Sequence, residues 1–302
     1  MFVLKILSLA AICAVPAFVA AMPVAIAQIV GAPVNFPTTA FEGDSLTASV
    51  SEGGVTATVT VMPPPDDQSG YIPVLTVSVD GVKVAEATGT ETDFNDPTAS
   101  ASIAEIDPDN PLPEVYFASY SGGAHCCTTI IVASQAGDTW VAAPVGDFDG
   151  DGDYLADLEG DGIAEIVTVD NRFLYQFDSY AASAAPLVIY TVRAGEVVDV
   201  TLDTRFLPAH REWLAHVEES VEPADKWTSR GFIAGWLAEK VRLGEGPTAW
   251  EELNANWDFA TDEGQEICLT GGQPEDCAED QLKTVKFPEQ LQLFLAENGY
   301  AF

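Results

Sequence analysis

The chain has 302 residues, with 12 Lys plus Arg against 47 Asp plus Glu and a formal net charge of −35. So acidic a surface leaves nothing from which to build the basic stripe that reads nucleic acid, or the polybasic contact that holds anionic lipid. With 47% hydrophobic and 10% aromatic residues, the chain has the material for a packed core and is not a disordered tail.

Residues 1–27 carry one Lys (Lys5), then an apolar run broken by Pro16, then Ala25-Ile26-Ala27 before Gln28. This is the layout of a secretory signal peptide cut near Ala27. The competing reading is a retained N-terminal anchor, since the run approaches the length of a membrane span. No later stretch is long and apolar enough to cross a membrane. The expectation is an exported protein, periplasmic or secreted, divided into a leader (1–27), a β-rich region (28–204) and a mainly helical region (205–302).

From residue 46 onward, strand signals dominate. Leu46–Val50 and Val55–Val61 flank Glu52-Gly53-Gly54, and Val74–Val79 and Val82–Val84 flank Asp80-Gly81, a strong hairpin dipeptide. Thr129–Ser134 and Thr139–Ala143 flank Ala136-Gly137-Asp138. Leu187–Val192 and Val197–Leu202 flank Ala194-Gly195-Glu196. After residue 205 the apolar period becomes helical. Pro208 opens a helix carrying Trp213, Val217 and Val221. Ser229 is a cap candidate for a second helix, which Gly244 stops. Trp250, Leu253 and Trp257 mark a third. Pro288 opens a fourth, closed by Asn298-Gly299. Five of the six Trp lie in this region and read as a helical packing layer on the β part. His210 and His216 are six apart, cannot form an i, i+4 metal pair, and read as partly exposed helix residues.

A degenerate repeat runs through the β region. One copy extends from Asp107 and Asp109 through Glu114 to the Ala136-Gly137 turn, the other from Asp157 through Glu165 to the Ala194-Gly195 turn. A period of about 50 residues with several strands per unit is the scale of a propeller blade. The fold class expected is α+β: a β-rich antiparallel part of partial propeller-blade-like repeats, with a helical C-terminal region.

The informative chemistry is acidic. Residues 147–165 read DFDGDGDYLADLEGDGIAE and hold eight carboxylates, while residues 84–171 contain no Lys or Arg. Two carboxylates about 4 Å apart repel by roughly 1 kcal/mol in water and about 4 kcal/mol at an effective dielectric of 20. With no cation from the chain nearby to offset this, the loop either splays into solvent or holds a metal. Alternating acids and glycines suit a hard, oxygen-ligated cation, and calcium fits better than magnesium or zinc. Ligands are expected from Asp157, Glu159, Asp161, Ile163 and Glu165, with Gly162 at the sharp turn. A weaker second site would use Asp147, Asp149, Asp151 and Asp153. An EF-hand is excluded because Thr168 and Leu158 stand where its closing Glu is required. The D-x-[DE]-x-D-G-x-x-[DE] pattern entering a strand instead resembles the calcium loops of FG-GAP or VCBS-type repeats, which are propeller-blade units of secreted and adhesive proteins. The resemblance covers about residues 104–202. It departs from the usual Asp at Glu159 and Glu165, and the Asp107 copy lacks the glycine.

Once Cys13 leaves with the leader, Cys126, Cys127, Cys268 and Cys277 remain. An even number in an oxidising compartment suggests disulfides, and three connectivities are possible. The turn-forming residues between Cys268 and Cys277 favour a local bridge, which leaves Cys126 with Cys127, a strained pairing of neighbours. Ser121-Gly-Gly-Ala-His125-Cys-Cys127 invites a zinc or nucleophile reading, but adjacent side chains converge poorly on one ion. A pinned turn is the simpler role. No nucleophile elbow, H-E-x-x-H or phosphate loop is present, so no catalytic residue is assigned. The functional expectation is a calcium-binding exported protein with a non-enzymatic binding or structural role toward a protein or glycan partner. Two alternatives are a hydrolase of glycans or peptidoglycan and a calcium-dependent carbohydrate binder. A pocket with two carboxylates beside Trp or Tyr would favour the hydrolase.

Overall fold

A computed structural model describes residues 26–31, 34–41, 45–63, 70–92, 99–123, 126–150, 152–271 and 274–302. The expected leader therefore lies outside the described residues except for Ile26 and Ala27. These two open a short helix, α1 (Ile26–Val30), whose Ala27 and Val30 are buried in the core, so the expected boundary falls inside a packed element.

Three four-stranded sheets follow, each an antiparallel meander in chain order. The first comprises β1 (Thr47–Glu52), β2 (Val55–Met62), β3 (Ile72–Val79) and β4 (Val82–Thr88). The second comprises β5 (Ala99–Ala104), β6 (Glu114–Tyr120), β7 (Cys126–Ala136) and β8 (Thr139–Asp149). The third comprises β9 (Leu155–Ala156), β10 (Glu165–Val169), β11 (Leu187–Arg193) and β12 (Glu196–Asp199). The hairpin dipeptides do what their chemistry requires. Asp80 and Gly81 take φ of 49° and 79°, and Ala194 and Gly195 take 50° and 81°. Left-handed pairs of this kind match the right-handed twist of the strands they join.

Alternation along β6 sets the layering. Val115 and Phe117 face the first sheet and pack with Val55, Val59, Leu75 and Val77. Tyr116 and Ala118 face the other way and pack with Ile130 and Val132 of β7 and with Leu155, Ile166 and Val192 of the third sheet. β6, in the middle of the second sheet, is thus buried on both faces. The far face of the third sheet presents Val167, Leu187 and Ile189 to Phe232, Trp236, Leu237 and Leu291 of the helices. Each such side chain contributes about 1.5–3 kcal/mol on full burial.

The repeat legible in the sequence is the second and third sheets. Glu114 opens β6 and Glu165 opens β10, and the two Ala-Gly turns join β7 to β8 and β11 to β12. Each unit has the strand order of a blade. The sheets are nonetheless layered, and the described residues form no propeller, because helices rather than a further sheet cover the third sheet. The α+β, antiparallel part of the expectation holds; the propeller part is not seen.

The helices are α2 (Leu207–Glu219), α3 (Arg230–Arg242), α4 (Gly246–Asn256) and α5 (Phe287–Glu297). Pro208 and Pro288 sit in the first turns of α2 and α5. Ser229 precedes α3, but its hydroxyl donates to the Asp225 carbonyl and does not cap the helix. Trp213 and Trp236 are buried, while Trp227, Trp250 and Trp257 pack at the edge of the same cluster. Between α4 and α5 lies an unanticipated two-stranded ribbon, β13 (Gln265–Cys268) and β14 (Leu282–Val285). It carries the local disulfide Cys268–Cys277, with Cα atoms 5.7 Å apart.

His216 is exposed and stacks on Trp213 at 5.3 Å. His210 overturns the expectation of exposure, since it is 2% exposed. Its Nδ1 lies 2.5 Å from Glu239 Oε1 and its Nε2 lies 2.9 Å from the Thr201 carbonyl, while Glu239 Oε2 accepts the Leu187 N–H at 2.9 Å. Helical periodicity placed His210 on α2, but that the facing turn of α3 carries a carboxylate is a tertiary fact.

Asp262 anchors the other end of the helical layer. Its fully buried carboxylate accepts the Phe287 and Gly264 N–H groups, the Trp257 indole and the Arg230 guanidinium at 2.8–3.1 Å. Burial works against its ionisation, but these donors outweigh burial and hold the carboxyl below the usual Asp range. Asp262→Ala is therefore expected to cost about 2 kcal/mol, because buried donors lose their acceptor. A depressed folded value gives stability that is present above the usual Asp pKa and lost as pH falls through the folded one, so the wild-type protein should lose this contribution below about pH 4. Urea titrations at pH 7 and pH 3 read both effects.

Candidate functional site

The loop between β9 and β10 is built around Asp157. Its side chain is buried, with Oδ1 accepting the Gly160 and Asp161 N–H groups at 2.7 and 3.1 Å and Oδ2 accepting Gly162 N–H at 2.9 Å. The Asp161 carboxylate accepts the Ile163 N–H at 2.9 Å. Gly160 and Gly162 take φ of 70° and 89°, which is what lets successive N–H groups curl onto one carboxylate. The expectation that no cation from the chain reaches this acidic stretch is corrected: Arg205 Nη1 lies 3.0 Å from Glu159 Oε2. The guanidinium arrives from beyond β12, a separation invisible in a local window of sequence.

Glu165 is 2% exposed, and one donor reaches it among the described residues, Leu158 N–H at 3.2 Å. Burial pushes its carboxyl up to about 7. The Leu158 N–H and Arg205 oppose the shift, while Asp161 and Glu159 add to it. The homologous acid of the second sheet is treated differently. Glu114 is also fully buried, yet it accepts Ile106 N–H (2.8 Å), Asp107 N–H (2.9 Å) and the Asn110 amide (2.6 Å). Asp107 in turn accepts Ala194 N–H at 2.7 Å and lies 3.9 Å from Arg193, tying this loop to the β11–β12 turn. Where the first copy supplies Asn110, the second supplies no side-chain donor.

The earlier acids do not gather. Asp147 is exposed and accepts the Thr129 hydroxyl at 2.6 Å; Asp149 accepts the Tyr180 hydroxyl; Asp153 accepts the Gln28 amide at 3.1 Å; Asp151 lies outside the described residues. Among the described residues, no three His, Cys, Asp or Glu side chains stand ready together as a metal cage. In the Ser121–Cys127 segment, the Ser121 hydroxyl accepts the Cys127 N–H at 3.0 Å and Cys127 is disulfide-bonded; His125 and the Cys126 side chain lie outside the described residues.

A cleft of about 740 Å³ opens where the end of β8, residues 180–185 and α2 meet. Asp149 and Asp153 line it together with Tyr154, Tyr180, Trp213 and His216. The sequence offered no signal for it, because its walls come from segments that only the layering of sheet on helix brings together.

Residues 210–299 match the family described as the sll0997 C-terminal domain. Over 260 residues the chain is 36% identical to a Synechocystis protein described as the probable thylakoid lumen protein sll0997, covering 84% of this chain and 76% of that one. Over 214 residues it is 34% identical to the uncharacterized protein y4bJ of Sinorhizobium fredii. That match covers 70% of this chain and 34% of y4bJ, so the chain spans about a third of that relative's length. No solved structure matches the chain. Neither the family match nor these two relatives bears an FG-GAP or VCBS description.

Proposed function

The chain belongs to the sll0997 family, and from that premise we propose that it is an exported protein with a non-enzymatic binding or structural role, carrying calcium on the β9–β10 loop. The lumenal description of the Synechocystis relative supports export, to a periplasm or beyond. No helix of the described residues is long and apolar enough to cross a membrane.

The observation that carries the calcium reading is Glu165, a buried carboxylate with a single N–H donor among like charges. Its counterpart Glu114 is also pushed up by burial, but two N–H groups and the Asn110 amide donate to it and oppose the shift. Calcium would be held by Asp157, Glu159, Asp161, Glu165 and the Ile163 carbonyl, an all-oxygen set suited to a hard cation. The chemistry it would supply there is electrostatic, offsetting the buried charge of Glu165 between β9 and β10. The donors are not gathered in advance, and Glu159 must leave Arg205, so affinity belongs in the weak extracellular range of roughly 10⁻⁴–10⁻³ M. Calorimetric titration with calcium should give saturable heat and a higher melting temperature. Absence of both at millimolar calcium rejects the ion.

A second reading, a hydrolase of glycans or peptidoglycan, draws on one observation: the cleft sets Asp149 and Asp153 beside Tyr154 and Tyr180. Release of soluble sugar from purified peptidoglycan, lost in Asp153→Asn, is its test.

A further inference from the structure

We propose that the cleft between the third sheet and α2 binds a small organic cation, an amine or quaternary ammonium carried on an apolar body. The proposal rests on the binding reading given above but not on calcium, since neither Asp157 nor Glu165 lines the cleft.

Volume comes first. About 740 Å³ lies within the range of cavities that enclose small organic ligands, roughly 300–1,000 Å³. The walls then decide the chemistry. Leu174, Val217, Val221 and Phe232 supply an apolar floor that favours a hydrocarbon body. Among the described residues, four carboxylates line the same space, those of Asp149, Asp153, Glu222 and Asp225, and no Lys or Arg does. Glu222 and Asp225 are exposed at the α2–α3 connection, and Asp149 is half-buried. A cleft of one sign with low-dielectric walls concentrates the opposite charge, and the net −35 of the chain adds to that field. Anions are repelled by the same arrangement.

Two details make this a recognition surface and not merely a run of acids. The Tyr180 hydroxyl donates to Asp149 and the Gln28 amide donates to Asp153, so both carboxylates are oriented by partners from other segments. The half-buried Tyr180 ring stands beside Asp149, and His216, exposed and stacked on the buried Trp213, lines the same cleft. An alkylammonium group between carboxylates and ring faces gains from both, as cation–π attraction adds to charge pairing. The Trp213 indole N–H is already given to the Ala185 carbonyl at 3.0 Å, so the ring is fixed in place with its polar atom engaged away from a ligand.

The test uses the exported full chain and four matched probes: hexyltrimethylammonium, hexanol, hexanoate and chitotriose. Binding is followed by tryptophan fluorescence and calorimetry, with and without a calcium chelator. Hexyltrimethylammonium is expected to bind saturably and equally well in chelator, and to bind at least tenfold tighter than hexanol. Hexanoate should give no signal. Asp149→Asn with Asp153→Asn should weaken the cation at least tenfold and leave hexanol unchanged. If that pair fails to fold, Glu222→Gln with Asp225→Asn, both at exposed positions, should weaken it at least threefold. Equal binding of hexanol and the cation, unchanged affinity in a folded variant, or no binding at all overturns the proposal. Turnover of chitotriose overturns it in favour of the hydrolase. Loss of cation binding in chelator alone would return the cleft to the calcium loop and also overturn it.

Discussion

Glu239→Ala is expected to destabilise the protein by about 3 kcal/mol, the cost of leaving the buried partners of its carboxyl without an acceptor. In a chain of this size that lowers Tm by roughly 10 °C. Thr201 O can only accept, so His210 Nε2 donates to it, and Nδ1 is hydrogen-bonded to Glu239 Oε1. Glu239 Oε2 also accepts the N–H of Leu187, the first residue of β11. The alanine variant leaves the imidazole and that N–H in an apolar layer with no acceptor. Glu239→Gln keeps an acceptor for Leu187 and should cost less than half as much. His210→Leu combined with Glu239→Leu removes both polar partners and should recover part of the loss. Urea unfolding of the three variants reads this directly. A loss below 1 kcal/mol in Glu239→Ala would mean that α3 seats on the third sheet without the pair.

Glu165→Gln should act in the opposite direction. The Glu165 carboxyl sits at about 7 in the folded chain, against an unfolded value of about 4.3. A raised folded value means that the folded state holds its proton where the unfolded state has lost it. The associated stability is complete below the unfolded value, falls as pH rises, and is gone above about pH 7. Over that window the wild-type chain in chelator should lose about 4 kcal/mol relative to the glutamine variant, which has no proton to lose. At pH 8 Glu165→Gln is thus the more stable protein, and at pH 4 the two converge. Calcium held as proposed would narrow the gap at pH 8, returning to the wild type about 2.7 kcal/mol at a concentration 100 times its Kd, while the variant responds weakly. Melting curves at pH 4, 6 and 8, with calcium and with chelator, check it. If the wild type and the variant show parallel pH profiles, Glu165 is solvated in the folded chain and the calcium reading loses its support.

The two residues differ in how visible they are in the sequence. Glu165 can be read there because its surroundings are local: Asp157, Asp161 and Gly162 lie within eight residues of it, and their spacing alone encodes a loop that curls on itself. The hairpins are legible for the same reason, since Asp80-Gly81 and Gly53-Gly54 supply the left-handed pair in adjacent positions. Glu239 is not legible, as its partners are Leu187 and His210, on another sheet and another helix. Arg205 escapes for a related reason. Residues 84–171 hold no base, yet the guanidinium that settles Glu159 enters from outside that interval.

The net charge of −35 is a property of the sequence alone, and it sets the expectation that neither nucleic acid nor anionic lipid is a partner. The sequence by itself also determined the hairpins, the Pro-opened starts of α2 and α5 and the repeat of two acid-opened strands, and it favoured the local disulfide that the structure forms. All of these depend on backbone preferences and side chains a few residues apart. Only the tertiary structure decided how the acids are used. Stacking of the second and third sheets buries Glu114 and Glu165, and Arg193 and Arg205 come back onto the acidic loops. Asp149 and Asp153 become the wall of a cleft closed by α2. The physical reason is that burial and charge pairing act through space between residues distant in the chain, so no local pattern of carboxylates reveals which ones lose their water.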